Sequence, residues 1–120
     1  MFVYCNVEPL GDKTQDCVIR AITLALGINY NDVVNLLYEN GLENDCDCLN
    51  VECYDNLLSD YFNLPRIHIE GMSVDEIANK FRNNVLIVRT RGHLSTCMFG
   101  NIFDIFDCGS YIVTDMWIVR

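Results

Sequence analysis

Val85-Leu86-Ile87-Val88-Arg89-Thr90-Arg91-Gly92-His93-Leu94-Ser95-Thr96-Cys97-Met98-Phe99-Gly100-Asn101-Ile102-Phe103-Asp104-Ile105-Phe106-Asp107 is the stretch that decides the fold. Val85 to Thr90, His93 to Phe99 and Ile102 to Asp107 are rich in β-branched and aromatic residues. Arg91-Gly92 and Gly100-Asn101 are turn signals between them. Cys108-Gly109-Ser110 is another, and it leads into a fourth β-rich run, Tyr111 to Val119. Strands this close together predict an antiparallel meander.

Upstream the period changes from two to that of a helix. Val18, Ala21, Ile22, Ala25 and Leu26 form an apolar stripe that starts at Cys17, with Asp16 at the N-cap position and Gly27 placed to end it. A second helix is predicted over 31–40, with Gly41 beyond it and Val33, Val34, Leu37 and Tyr38 on its buried face. A third runs over 51–62 on Tyr54, Leu57, Leu58 and Tyr61, and Pro65 closes that region. Ser73-Val74-Asp75-Glu76 is a capping box that opens a short helix with Val74, Ile77, Ala78 and Phe81 inward. Phe2 to Cys5 suits a terminal strand, Asn6 to Gln15 a loop, and Arg66 to Glu70 a half-exposed strand. Helices first and strands after them define an α+β fold, a helical N-terminal half packed on a C-terminal β-meander.

The 120 residues make a single domain, 1–120, and the 51% of apolar residues can fill its core. No apolar run reaches membrane-spanning length. No charged leader precedes the first elements, so a secretory peptide is not expected. The formal charge of −9 argues against nucleic acid and anionic membrane as partners. Seven cysteines is an odd number, which excludes a fully paired disulfide framework within one chain, and their spacing is irregular. Together these features point to a reducing cytoplasm, with most cysteines acting as small buried hydrophobes. Cys46, Cys48 and Cys53 lack the paired spacing of zinc ligands, so no metal or cofactor is expected, and the segment reads as a solvated acidic loop.

The chemistry concentrates in two places. Cys17 stands at a helix N-terminus, where the macrodipole favours the thiolate and unpaired backbone N–H groups can stabilise an oxyanion. His93 opens a strand just after a glycine turn, and a carboxylate on the next strand would orient its ring. With Phe99-Gly100-Asn101 as the turn, Met98 faces Ile102, and His93 falls opposite Asp107 on the same face. With Gly100-Asn101 alone as the turn, His93 faces Cys108, and Asp107 is still nearer than Asp104. Asp107 is therefore the carboxylate selected. His68 lies on a solvated face with Arg66 and Glu70. Arg20 is one helical turn from Asp16 and Cys17, and reads as an ion pair with Asp16 rather than as a substrate contact.

Asp16-Cys17-Val18-Ile19-Arg20-Ala21, followed by His93-Leu94 with Gly100 and a hairpin that ends Asp104-Ile105-Phe106-Asp107, resembles the small papain-like proteins encoded by bacteriophages. The order of elements is similar to that of papain-like cysteine peptidases, including the type that processes bacteriocin leaders. The resemblance implies a papain-like fold, with Cys17 as nucleophile, His93 as base and Asp107 as orienting acid. Papain-like enzymes carry an oxyanion-donating glutamine about six residues before the cysteine. Gly11 stands there in this chain, which leaves Gln15 or Asn6 as the substitute donor.

Two functions follow as expectations. One is a cysteine hydrolase that cleaves an amide, peptide or isopeptide bond of a peptide or protein substrate through a thioester, in the host cytoplasm if phage-encoded. The other is a non-catalytic acidic phage protein that binds and inhibits a host factor such as a defence complex, with Asp45, Asp47 and Glu52 on its binding face.

Overall fold

The computed structural model describes residues 1–11 and 15–120. Residues 12–14 of the loop read over Asn6 to Gln15 lie outside them. The architecture is α+β, with N-terminal helices packed on a mostly antiparallel six-stranded sheet. In chain order the elements are β1 (Phe2–Tyr4), α1 (Cys17–Leu26), α2 (Tyr30–Asn44), α3 (Val51–Asn56) running into a π-helical turn (Leu57–Tyr61), β2 (Ile67–His68), α4 (Val74–Lys80), β3 (Val85–Thr90), β4 (His93–Met98), β5 (Asn101–Asp104) and β6 (Val113–Ile118).

Sheet order is β1-β5-β4-β3-β6-β2. The simple meander is corrected at its last strand, because β6 pairs with β3 and not with β5. The outer edge of β5 is taken by β1, which runs parallel to it from Phe2 opposite Ile102 to Tyr4 opposite Asp104. The chain therefore leaves β5 and crosses the start of α4, where Asp75 N–H donates to Gly109 O and Val74 N–H to Tyr111 O. It returns on the far side of β3. Val85, Leu86, Ile87 and Val88 of β3 are all buried, which explains their unbroken apolar run.

Each face of the sheet has its own core. Val85, Ile87, Leu94 and Trp117 meet Val18, Ala21, Ile22 and Ala25 of α1, Val33 and Leu37 of α2, and Tyr54, Leu57 and Leu58. Leu86, Val88, Cys97, Ile102 and Met116 meet Val74, Ile77 and Ala78 of α4. The capping box of α4 forms as read, and Gly27 ends α1 in the left-handed conformation.

Helix α2 runs past its expected stop. Gly41 lies within it and is buried; an added Cβ would sit 3.0 Å from Cys46 O and 3.2 Å from Cys48 Cβ. The residue is glycine because a loop packs on it, and left-handed Asp45 ends the helix instead. Tyr38 and Tyr61, read as buried, are 62% and 64% exposed. The cysteine reading also changes. Cys46 and Cys53 form a disulfide; of the free thiols, only Cys97 and Cys108 are buried, while Cys5, Cys17 and Cys48 are partly so. Among the described residues no single helix is long and apolar enough to cross a membrane.

Candidate active site

Helix α1 begins at Cys17 without a side-chain cap. The Asp16 carboxylate, expected to turn toward the first N–H groups, pairs instead with the Arg20 guanidinium and accepts a 2.7 Å hydrogen bond from the Tyr30 hydroxyl. The first turn of N–H groups beside the Cys17 sulfur therefore lacks this acceptor. Arg20 is only 3% exposed. It also stands 3.7 Å from Asp104 at the end of β5, so one buried guanidinium ties the start of α1 to the sheet. The Asp16 pairing read from the spacing is present.

The carboxylate on the His93 ring is Asp104, where the sequence reading selected Asp107. Asp104 Oδ2 is 2.6 Å from His93 Nε2 and accepts a 2.6 Å hydrogen bond from Ser95 Oγ, while Oδ1 accepts from the Ile105 N–H at 2.7 Å. Asp107 is exposed and its Oδ1 accepts the Gly109 N–H at 2.9 Å within the following turn. The cause is a slip in register. Met98 pairs with Asn101, Cys97 with Ile102 and Thr96 with Phe103, so the hairpin turns on Phe99-Gly100 alone. Both turn residues have positive φ, 51° and 87°, the twist that suits a two-residue hairpin. A shift of one residue exchanges the faces of a strand and brings Asp104 onto the face of Ser95 and His93. Phenylalanine rarely adopts φ > 0, so Gly100-Asn101 was the stronger local signal.

The electrostatics follow from these contacts. Burial is the largest single influence on His93 and opposes its charge, but hydrogen bonding to Asp104, Cys108 and Cys17 and the Asp104 charge together outweigh it and push the imidazolium up from 6.5 to about 11. Burial likewise opposes ionisation of Asp104, yet His93 and Ser95 hold its carboxyl below the ordinary value. For Cys17, burial is again the largest influence and acts against the thiolate. Hydrogen bonding to His93 and to the Leu94 backbone, together with the imidazolium charge, overcomes it and lowers the thiol. With Nε2 held by Asp104, the other ring nitrogen is left for the sulfur. Phe106 packs on the ring at 4.7 Å between centroids and shields it.

Cys17 and His93 open onto a cavity of about 250 Å³. Val18, Leu49 and Val51 give it apolar walls, and Asn50, Tyr54 and Arg89 add polar groups. A larger depression of about 490 Å³ lies elsewhere, along Tyr38, Leu42 and the loop Asp45 to Cys48, and is lined by no histidine. Of the substitute oxyanion donors, Gln15 is exposed, and Asn6 accepts the Glu8 N–H within its own loop. Neither lines the cavity among the described residues. His68 is solvated and lies 3.2 Å from Glu70, as read. His93, Asp104 and Cys108 offer ligand atoms within 4.8 Å of one another, a set that could take a metal ion. Cys46 and Cys53 are bonded to each other and so are not thiolate ligands. Asp104, Ser95, Cys108 and Phe106 were the residues sequence reasoning missed at the site. The chain matches no family model, no curated protein and no solved structure.

Proposed function

We propose that this protein is a cysteine hydrolase with a papain-like arrangement, in which Cys17 is the nucleophile, His93 the proton shuttle and Asp104 the orienting acid. The single observation that carries this reading is the convergence of a lowered thiol, a raised imidazolium and a buried carboxylate at an uncapped helix start. The Cys17 thiolate adds its electron pair to the carbonyl carbon of an amide, peptide or isopeptide bond, and the C=O π pair moves to oxygen. Collapse restores the carbonyl and expels the amine, which takes its proton from His93. Water then attacks the thioester and gives a proton back to His93, releasing the acid and the thiolate. Asp104 keeps the ring oriented throughout. The resemblance to small phage papain-like proteins supports the same reading and suggests a host protein or peptide as substrate.

The test is the rate of Cys17 alkylation against pH, mapped by mass spectrometry. The expected result is fast labelling at Cys17 with an inflection below that of the other free cysteines, lost in His93→Ala. Labelling no faster than at Cys5 and Cys48 would remove the reading. A second reading, a binding module for a basic partner, is favoured by the open depression edged by Asp45 and Asp47. Cys17→Ala abolishes the first function and spares the second.

A further inference from the structure

A thiolate alone does not make an acyl-transfer site. The tetrahedral intermediate carries a full negative charge on oxygen, and a donor must stand ready for it. The backbone N–H groups at the start of α1 supply part of that stabilisation. The glutamine of papain-like enzymes is replaced by Gly11, and Gln15 and Asn6 do not line the cavity among the described residues. The side chains that do line it narrow the choice. Arg89 is committed, with Nη1 3.0 Å from both Thr114 Oγ1 and Asp115 Oδ2. Asn50 is exposed and its Oδ1 caps α3 through the Glu52 N–H. Tyr54 differs from both. It is 3% exposed, packs its ring against Trp117 at 6.0 Å, and lines the same cavity as Cys17 and His93. Its hydroxyl has no hydrogen-bond partner among the described residues. The hydroxyl oxygen is not among the buried atoms that lack a partner, so this phenol keeps its oxygen accessible and able to donate to a group bound in the cavity.

We infer that the Tyr54 hydroxyl is the side-chain donor of the oxyanion hole, completing with the α1 N–H groups the site that holds the tetrahedral oxyanion formed at Cys17. The inference rests on the hydrolase reading above. Burial and the nearby Cys17 charge both push the phenol up, so it stays a protonated donor while the thiol ionises. Its place on α3, one turn after Asn50, sets the donor in the wall of the cavity that Cys17 and Val18 of α1 also line. An acyl carbonyl could then sit between the hydroxyl and the nucleophile helix.

Two probes of Cys17 separate this role from every other. Iodoacetamide alkylates the thiolate by displacing iodide and forms no oxyanion. p-Nitrophenyl acetate acetylates it through a tetrahedral oxyanion and releases p-nitrophenolate. Tyr54→Phe removes one oxygen that makes no hydrogen bond, so the melting temperature and the alkylation rate should hold. Acetylation at Cys17, read by mass spectrometry and phenolate release, should slow about a hundredfold, the lower end of the loss for one oxyanion donor. Equal acetylation in wild type and Tyr54→Phe would overturn the assignment while leaving the hydrolase reading intact. Loss in Asn50→Ala instead would move the role to Asn50. Slowing of both probes, or a drop in melting temperature, would make the hydroxyl a structural group and overturn it as well. A wild-type Cys17 that neither alkylates fast nor acetylates would remove the hydrolase reading, and Tyr54's role with it.

Discussion

His93 and Asp104 are oppositely charged groups that each hold the other ionised, and this gives the pair a pH signature. The raised His93 contributes stability that is complete below 6.5 and is lost as pH climbs through about 11. The lowered Asp104 contributes stability that is complete above 3.8 and is lost as pH falls through its depressed value. The joint contribution is therefore greatest between these limits. Asp104→Asn should lower the melting temperature more at about pH 5 than at about pH 9, and thermal melts at both check it. The same substitution should return the His93 titration, followed by NMR, toward 6.5, whereas Asp107→Asn should leave it in place. Cys17 and His93 were legible as single residues because each opens an element, and the Arg20 pairing was legible because it stands one helical turn from Asp16. Asp104 was not, because a strand residue's face depends on a register that no single residue states.

At the scale of elements, the hairpin between β4 and β5 carries the site on an unfavourable turn. Phe99 is 59% exposed and held at φ 51°, in the left-handed region that a side chain enters at a cost of about 1–2 kcal/mol. Phe99→Gly should raise stability by up to about 1 kcal/mol in denaturant titration, since glycine takes that conformation freely. Arg20 joins α1 to β5 through two buried carboxylates, and Arg20→Ala takes the guanidinium from both, leaving Asp16 to the Tyr30 hydroxyl and Asp104 to His93 and Ser95. A loss of about 3–5 kcal/mol is expected in the same titration. Gly41→Ala gains helix propensity of about 1 kcal/mol but presses on the loop that Cys46–Cys53 closes. The tethered loop has little room to give, so the variant should melt lower than wild type, and lower still relative to wild type when the disulfide is intact than when it is reduced. The helices and the capping box were legible because their signals are local. The exit of β6 to the far side of β3 was not, because it depends on β1 claiming the edge of β5 from the other end of the chain.

At the scale of the whole molecule, two cores share one sheet, and Ile22 and Leu37 lie at the centre of the larger, fully buried. Leu37→Ala should cost about 2–5 kcal/mol, measured by chemical denaturation. Composition announced a chain able to fill a core, and the change of period after Asn84 announced the two layers. The site between them was legible only where a helix start and a strand start coincide with reactive residues. The strand that carries Asp104 is held on one edge by the chain's own beginning: Cys5 N–H donates to Asp104 O at 2.8 Å, and Ile102 N–H to Met1 O at 2.9 Å. A ribosome makes β1 and α1 well before β4 and β5. The Cys17 sulfur is therefore made well before His93 and Asp104, and the three can meet only after β5 has been synthesised. A chain interrupted before β5 carries Cys17 without Asp104.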